Sequence, residues 1–335
     1  MGYISFIFLL IAISCVAMKP YPLGINFGPN HITAAYITAA NQPVVAARLA
    51  VDDEYRALIA DSIENEGKKV QRQGQWYLSD GDSLIPTSPD PDHNPKLESI
   101  FAKWMDRIHN TVNTNASIPN IITSISIPQH FNGSLYSAVG NAALKNEEGM
   151  IRPWQTRHYY NAARLAYHLN SCQGLGLDSR TCHIEDGPHL VLFLDYNESY
   201  LEFFLADVGE FTFINVAKKR MEHLKTSTFD ASNADGLRNE LLSFIDRNLR
   251  YDVRDDLRAI VFSGDAAKSR FQELRNEIIR AMPEHATRIR DSIDPALVGA
   301  IGAAEWAKLQ VQNPKILKDI EVDTTIPNNP VHDEL

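Results

Sequence analysis

The stretch YPLGINFGPNHITAAYI, residues 21–37, decides how the rest of the chain is read. It starts as an apolar run, breaks at Gly28-Pro29-Asn30, and resumes as a second apolar run. A glycine-proline break between two runs rich in β-branched and aromatic residues predicts two strands joined by a tight turn. Such a turn can aim backbone N–H groups at an anion. An acid late in the first strand would suit a metal-bound phosphate, and the residue there is the neutral Asn26.

Working outward, apolar runs at 23–27, 32–38 and 44–51 read as a three-strand meander. The proline-rich IPTSPDPDHNP, 85–95, reads as a loop before an amphipathic segment at 96–109. A strand at 121–127 ends at Pro128, and a helix at 161–170 closes this half. The second half repeats the order. HLVLFLDYN (189–197), YLEFFLADV (200–208) and FTFINVA (211–217) form another meander, followed by a helix at 237–249, the strand AIVFSG (259–264), and helices at 270–282 and 295–310. Such a repeat predicts two similar α/β units, with the first turn of each meander at a shared cleft.

The chain ends in HDEL, an endoplasmic-reticulum retrieval signal. Its first residues carry an apolar run at 4–16, too short to span a bilayer, with Cys15 and Ala17 at the −3 and −1 positions of a cleavage site. The basic residues that usually precede such a run are missing. The expectations are a signal peptide at 1–17, units at 18–187 and 188–318, and a disordered tail at 319–335. The protein is then soluble in the ER lumen, spans no membrane, and meets the retrieval receptor through its tail. In that oxidising compartment Cys172 and Cys182, which remain after cleavage, are expected to pair across CQGLGLDSRTC. Closing that loop contributes roughly 2–3 kcal/mol in the chain-entropy model. Sequons occur at Asn115, Asn132 and Asn197. A net charge of −10 and a pI near 5.6 argue against a nucleic-acid surface.

With these segments in hand, the sequence resembles the Hsp70/actin superfamily, and Hsp70 more closely than actin. LGINFGPNHITAAYI (23–37) is similar to the first phosphate loop, and ISIPQHFNGSLYSAV (125–139) to the strand–turn that precedes a helix. RHYYNAARLAYHL (157–169) resembles the first connecting helix, and LVLFLDYNESYLE (190–202) occupies the second phosphate loop. IVFSGDAAKSRFQEL (260–274) resembles the adenosine loop, and DPALVGAIGAA (294–304) the second connecting helix. The resemblance implies two ribonuclease-H-like lobes around an ATP cleft. The interval from Asp195 to Gly264 is far shorter than in Hsp70, which implies a reduced second-lobe subdomain. No peptide-binding domain is expected after the last helix.

The resemblance implies nucleotide-site candidates at Gly24, Asn26, Gly28, Asn30, Asp195, Asn197, Ser199, Ser263, Gly264 and Asp265. Asp195 is the family's metal-site acid and the one catalytic candidate. No catalytic lysine carries over, since Lys68, Lys69 and Lys96 lie in segments that do not match. Several positions depart from what magnesium-ATP requires. Asn26 lacks the carboxylate's charge, and Pro29 removes an N–H donor. Asn197-Glu198-Ser199 stands where glycines let the backbone touch a phosphate, and Glu198 repels one. Tyr200 follows in place of a threonine, and the next acid is Glu202. Gly302, with Ala303 and Ala304, reads as close helix packing.

The expectation is an ER-lumenal Hsp70-like protein with a degenerate site, ATP or ADP with magnesium weakly held or lost, and a role in binding lumenal chaperones or clients. Its alternative is a working ATPase with an altered phosphate clamp. Beyond Asp195, no metal ligand is assigned. The histidines are scattered, and no HExxH, GxSxG or P-loop motif is present. The absence of a CxxC pair argues against oxidoreductase chemistry. The acid pairs Asp52-Asp53 and Asp255-Asp256 read as solvated turns, and Trp154, Tyr159 and Tyr160 as core.

Overall fold

The computed structural model describes residues 21–70, 94–116, 120–131, 133–152, 155–221, 231–249 and 255–315. The expected signal peptide, the HDEL tail, Asn132 and Trp154 lie outside the described residues.

The first half is built as expected from a meander, β1 (Tyr21–Phe27), β2 (His31–Ile37) and β3 (Pro43–Ala50). A helix not foreseen from the sequence follows, α1 (Asp53–Val70). Asp52 is not a bare solvated turn. Its carboxylate accepts the Tyr55 N–H at 3.1 Å and so caps this helix. Tyr55, Ile59 and Ser62 then recur on the buried face at helical spacing. The next helix, α2 (Pro95–Ala116), opens on Asn94, whose side chain accepts from the Lys96 and Leu97 amides, with Pro95 at the first helical position. It runs about two turns past the expected end. Then come β4 (Asn120–Ile127), α3 (Gly133–Asn146), the short β5 (Thr156–His158) and α4 (Tyr159–Ala166).

The second half runs β6 (Leu190–Tyr196), β7 (Leu201–Val208), β8 (Phe213–Met221), α5 (Ala231–Asn248), β9 (Leu257–Ser263), α6 (Lys268–Ala281), β10 (Ile289–Arg290) and α7 (Val298–Gln312). Each half forms a mixed five-stranded sheet, and the strand orders are β3-β2-β1-β4-β5 and β8-β7-β6-β9-β10. In both, three antiparallel strands are joined through the first to two parallel ones. Bulges recur too, at Ala34/Ala35 on β2 and at Leu205/Ala206 on β7. The duplication expected from the sequence is therefore present at the level of topology, and the fold is α/β with two mixed sheets.

Core packing follows from which strand faces are apolar. β1, β4, β6 and β9 are buried on both faces, the pattern of strands covered on each side. One cluster lies between the first sheet and α1–α3, with Phe27, Tyr55, Phe101 and Trp104 at its centre. A matching cluster joins the second sheet to α5 and α6. Between the sheets lie α4 and α7, crossed over. Tyr160 of α4 stacks on Phe204 of the second sheet at 4.2 Å, whereas α7, late in the chain, presses on β1 of the first. Gly302 sits where α7 crosses α4, and a Cβ there would overlap the Ala162 carbonyl, as close helix packing requires. The Cys172–Cys182 disulfide is formed in the loop between α4 and β6.

Candidate functional site

β1 and β4 are parallel, as are β6 and β9, so the carboxyl ends of both central pairs face one cleft. Such crevices are where α/β sheets bind ligands. The β1–β2 turn, the β6–β7 turn and the end of β9 meet there, around a cavity lined by Asn26, Gly28, His31, Asp195, Asn197 and Tyr200 among others. Its volume is about 30 Å³. A water needs about 10–15 Å³, and small-molecule sites begin at roughly 300 Å³. The cleft is shaped but nearly full.

What fills it is a network of its own side chains. Asp195 accepts from the Asn197 side-chain amide at 2.8 Å, the Tyr200 hydroxyl at 2.9 Å and the Ser263 hydroxyl at 3.2 Å. The other end of the Asn197 amide accepts the Asp265 N–H at 3.2 Å. Asn197 is only 2% exposed, and the nitrogen that a glycan would occupy is already donated. Burial, with Glu202 and Asp265 adding repulsion, pushes the Asp195 carboxyl up to about 7 against the pull of its hydrogen bonds. Burial also raises Asp265, which bonds Asn30 and lies 3.8 Å from His31 of the first half. His31 itself is lowered by burial and then by Arg48.

Tyr200 links this network to a second one. Its ring lies 5.9 Å from His130 and 5.1 Å beneath the Arg220 guanidinium. Burial, followed by Arg220 and Lys218, holds His130 well below the ordinary histidine range, so it is neutral at pH 7. Glu202, opposite Asp195 on the neighbouring strand, accepts from the Tyr160 hydroxyl at 2.6 Å and from Arg220 at 2.7 Å, with Lys218 at 3.4 Å. This acid is committed to an ion pair and is not part of the cavity lining.

The sequence candidates separate on this geometry. Asn26, Gly28, Asp195, Asn197, Gly264 and Asp265 line the cavity, and Asn30 and Ser263 support it through Asp265 and Asp195. Gly28 closes the β1–β2 turn, its N–H donating to the His31 carbonyl at 3.0 Å. Gly264 has φ +105°, a conformation that favours glycine, and a Cβ there would also overlap the Tyr196 carbonyl. Gly24 belongs elsewhere. A Cβ on it would collide with the backbone of Ala303 and Ala304, so this glycine lets β1 touch α7 and lies off the cavity. Ser199 is exposed at the turn tip with Glu198. Asn115 lies near the end of α2.

Sequence reasoning did not foresee the roles of Tyr159, His130 and Arg220. Tyr159 puts its hydroxyl in reach of Ser263 and the Gly264 backbone, from a helix a hundred residues earlier. The signal for Tyr200 was present in the sequence, a bulky phenol five residues after the acid Asp195. Among the described residues no cluster of three or more histidine, cysteine or acidic side chains is arranged to hold a metal ion. None of their helices is long and apolar enough to cross a membrane. No family model matches the chain, and no curated protein matches it.

Proposed function

We propose that the chain is an ER-lumenal protein of the Hsp70/actin-like class whose nucleotide site has degenerated into a permanently occupied hinge. It acts by binding lumenal protein partners, chaperones or clients, and not by hydrolysing ATP. The observation that carries this reading is the cleft itself. Asn197, Tyr200 and Ser263 saturate Asp195, and about 30 Å³ is left where a triphosphate needs roughly ten times more. The repeated strand order and the crossed helices α4 and α7 support the class assignment, and the neutral Asn26 supports loss of the metal. Glu202 supports it further, because its ion pair removes the second acid from any ligand's reach.

A thermal-shift comparison tests the reading. A ligand at one hundred times its dissociation constant stabilises a fold by about 2.7 kcal/mol, which moves a melting curve measurably. With millimolar magnesium-ATP, magnesium-ADP or EDTA, the melting temperature is expected to stay where it is without additions. A magnesium-dependent rise of several degrees with either nucleotide would defeat the proposal.

A further inference from the structure

The loop between α4 and β6 has an unusual construction. Within residues 171–186 the described backbone hydrogen bonds join residues no more than five apart: Leu175 to Ser171, Gly176 to Gln173, Leu177 to Cys172, Thr181 and Cys182 to Asp178, and Asp186 to His183. They make two local turn units, 171–177 and 178–186. Between these units runs the Cys172–Cys182 bond. The first unit is anchored in the core by Leu175, which is 3% exposed. The second reaches the protein body through Ile184, packed on the cluster between the sheets, and through Glu185.

Glu185 has a specific target. Its carboxylate accepts the Glu210 N–H at 2.7 Å and the Thr212 hydroxyl at 3.1 Å, on the turn between β7 and β8. Arg164 of α4, fully buried, donates to the Gly209 carbonyl at 2.7 Å and the Thr212 carbonyl at 2.8 Å of the same turn. The turn is clamped between a connecting helix and the disulfide loop. It bears Phe211, 59% exposed, and leads into β8, which forms the edge of its sheet and exposes Ile214 and Val216. Phe213, the first residue of β8, lies against Phe193 and Phe204, and Leu177 and Ile184 pack on the same cluster.

We propose that Cys172–Cys182 is a redox-released strap. Its reduction frees the second turn unit, withdraws Glu185 from the hairpin, and joins Leu177, Ile184 and Phe213 to the apolar residues already exposed along β8. Both cysteines are half-buried, so a reductant can reach them. The reductant is a dithiol. One of its thiolates attacks one sulfur of the pair and releases the other cysteine, and its second thiolate then attacks the mixed disulfide and releases the first cysteine. The Cys172–Cys182 bond breaks and each sulfur gains an electron and a proton, while the dithiol loses two of each and closes its own disulfide.

Hydrogen exchange on the folded protein tests this. The Glu210 amide is followed in the oxidised protein, after reduction by a dithiol, and in Cys172→Ser/Cys182→Ser, with β6 amides as the reference. Reduction and the double substitution are each expected to speed Glu210 exchange by about ten-fold or more, the scale of losing a hydrogen bond to a charged acceptor. The β6 amides should be unchanged, and binding of an apolar fluorescent dye should increase. Glu185→Ala in the oxidised protein should speed Glu210 exchange without the gain in dye binding. Equal Glu210 exchange in the oxidised and reduced proteins would overturn the proposal. So would β6 amides that exchange as fast as Glu210 on reduction, because the bond would then hold the whole lobe and not a strap.

Discussion

The two halves place different chemistry at the same point of the same topology. Asn26 and Asp195 are each the sixth residue of the first strand of a meander, each flanked by a neighbour on the antiparallel side and a serine on the parallel side. Asn26 is flanked by Thr33 and Ser126, all neutral. Asp195 is flanked by Glu202 and Ser263, with Tyr200 above it. The first half places no charge at this point. The second places Asp195 and Glu202 side by side and surrounds each with donors. Asn26 brings no charge to the cleft, and the Asp195 carboxylate is bonded to its own neighbours.

The halves differ most in the buried carboxylate of Glu202. Glu202→Ala removes the buried carboxylate that Arg220, Lys218 and Tyr160 share, and is expected to destabilise the protein by about 3–5 kcal/mol in denaturant unfolding. Thr33→Val, at the matching position of the first half, removes no charge and no ion pair and should cost far less. Equal effects would mean that the halves do not differ as described.

The next test exchanges the two central residues. A folded-state value near 7 lies above the ordinary carboxylate value of 3.8, so Asp195 contributes stability that is fully present below pH 4 and lost as the pH rises toward 7. Asp195→Asn mimics the protonated form. It is expected to raise stability at pH 8 by about 2–4 kcal/mol, since each pH unit separating the folded from the ordinary value is equivalent to about 1.36 kcal/mol, and to change little at pH 4. Asn26→Asp should act in the opposite direction, costing stability at pH 8 and much less at pH 4. Melting temperatures across this range decide it, and a pH-independent difference would contradict the argument.

Smaller still is Tyr200→Phe, which removes one of three donors to Asp195 while keeping the ring against His130. It should cost about 1 kcal/mol in the same unfolding experiment and raise the pH at which Asp195 titrates. At Asn197, intact-mass and peptide analysis of protein from a eukaryotic secretory host is expected to find the residue unmodified. A glycan there in folded protein would place the side chain outside the network.

Much of the frame was legible because it depends on local pattern. Both meanders are apolar runs cut by Gly-Pro-Asn or Asn-Glu-Ser turns, and their repetition in one order exposed the duplication. The helix α1 escaped because its start looked like a solvated acid pair; only the Tyr55 amide bound to Asp52 distinguishes a cap from a turn. The site was less legible, since its partners are distant in sequence. Nothing near Gly24 says that Ala304 will lie against it, and nothing near Glu202 announces Tyr160. The retained Asp195 looked like a surviving ligand for metal. Its burial under Tyr200 and Asn197 turns it into a structural group.

Calorimetric titration of the purified, folded protein with magnesium-ATP, run beside an assay for released phosphate, addresses the filled cleft most directly. The expected result is no saturable heat at micromolar to high-micromolar nucleotide and no phosphate above a heat-inactivated control. Micromolar binding with sustained phosphate release, abolished by Asp195→Ala, would show a working clamp and contradict the account.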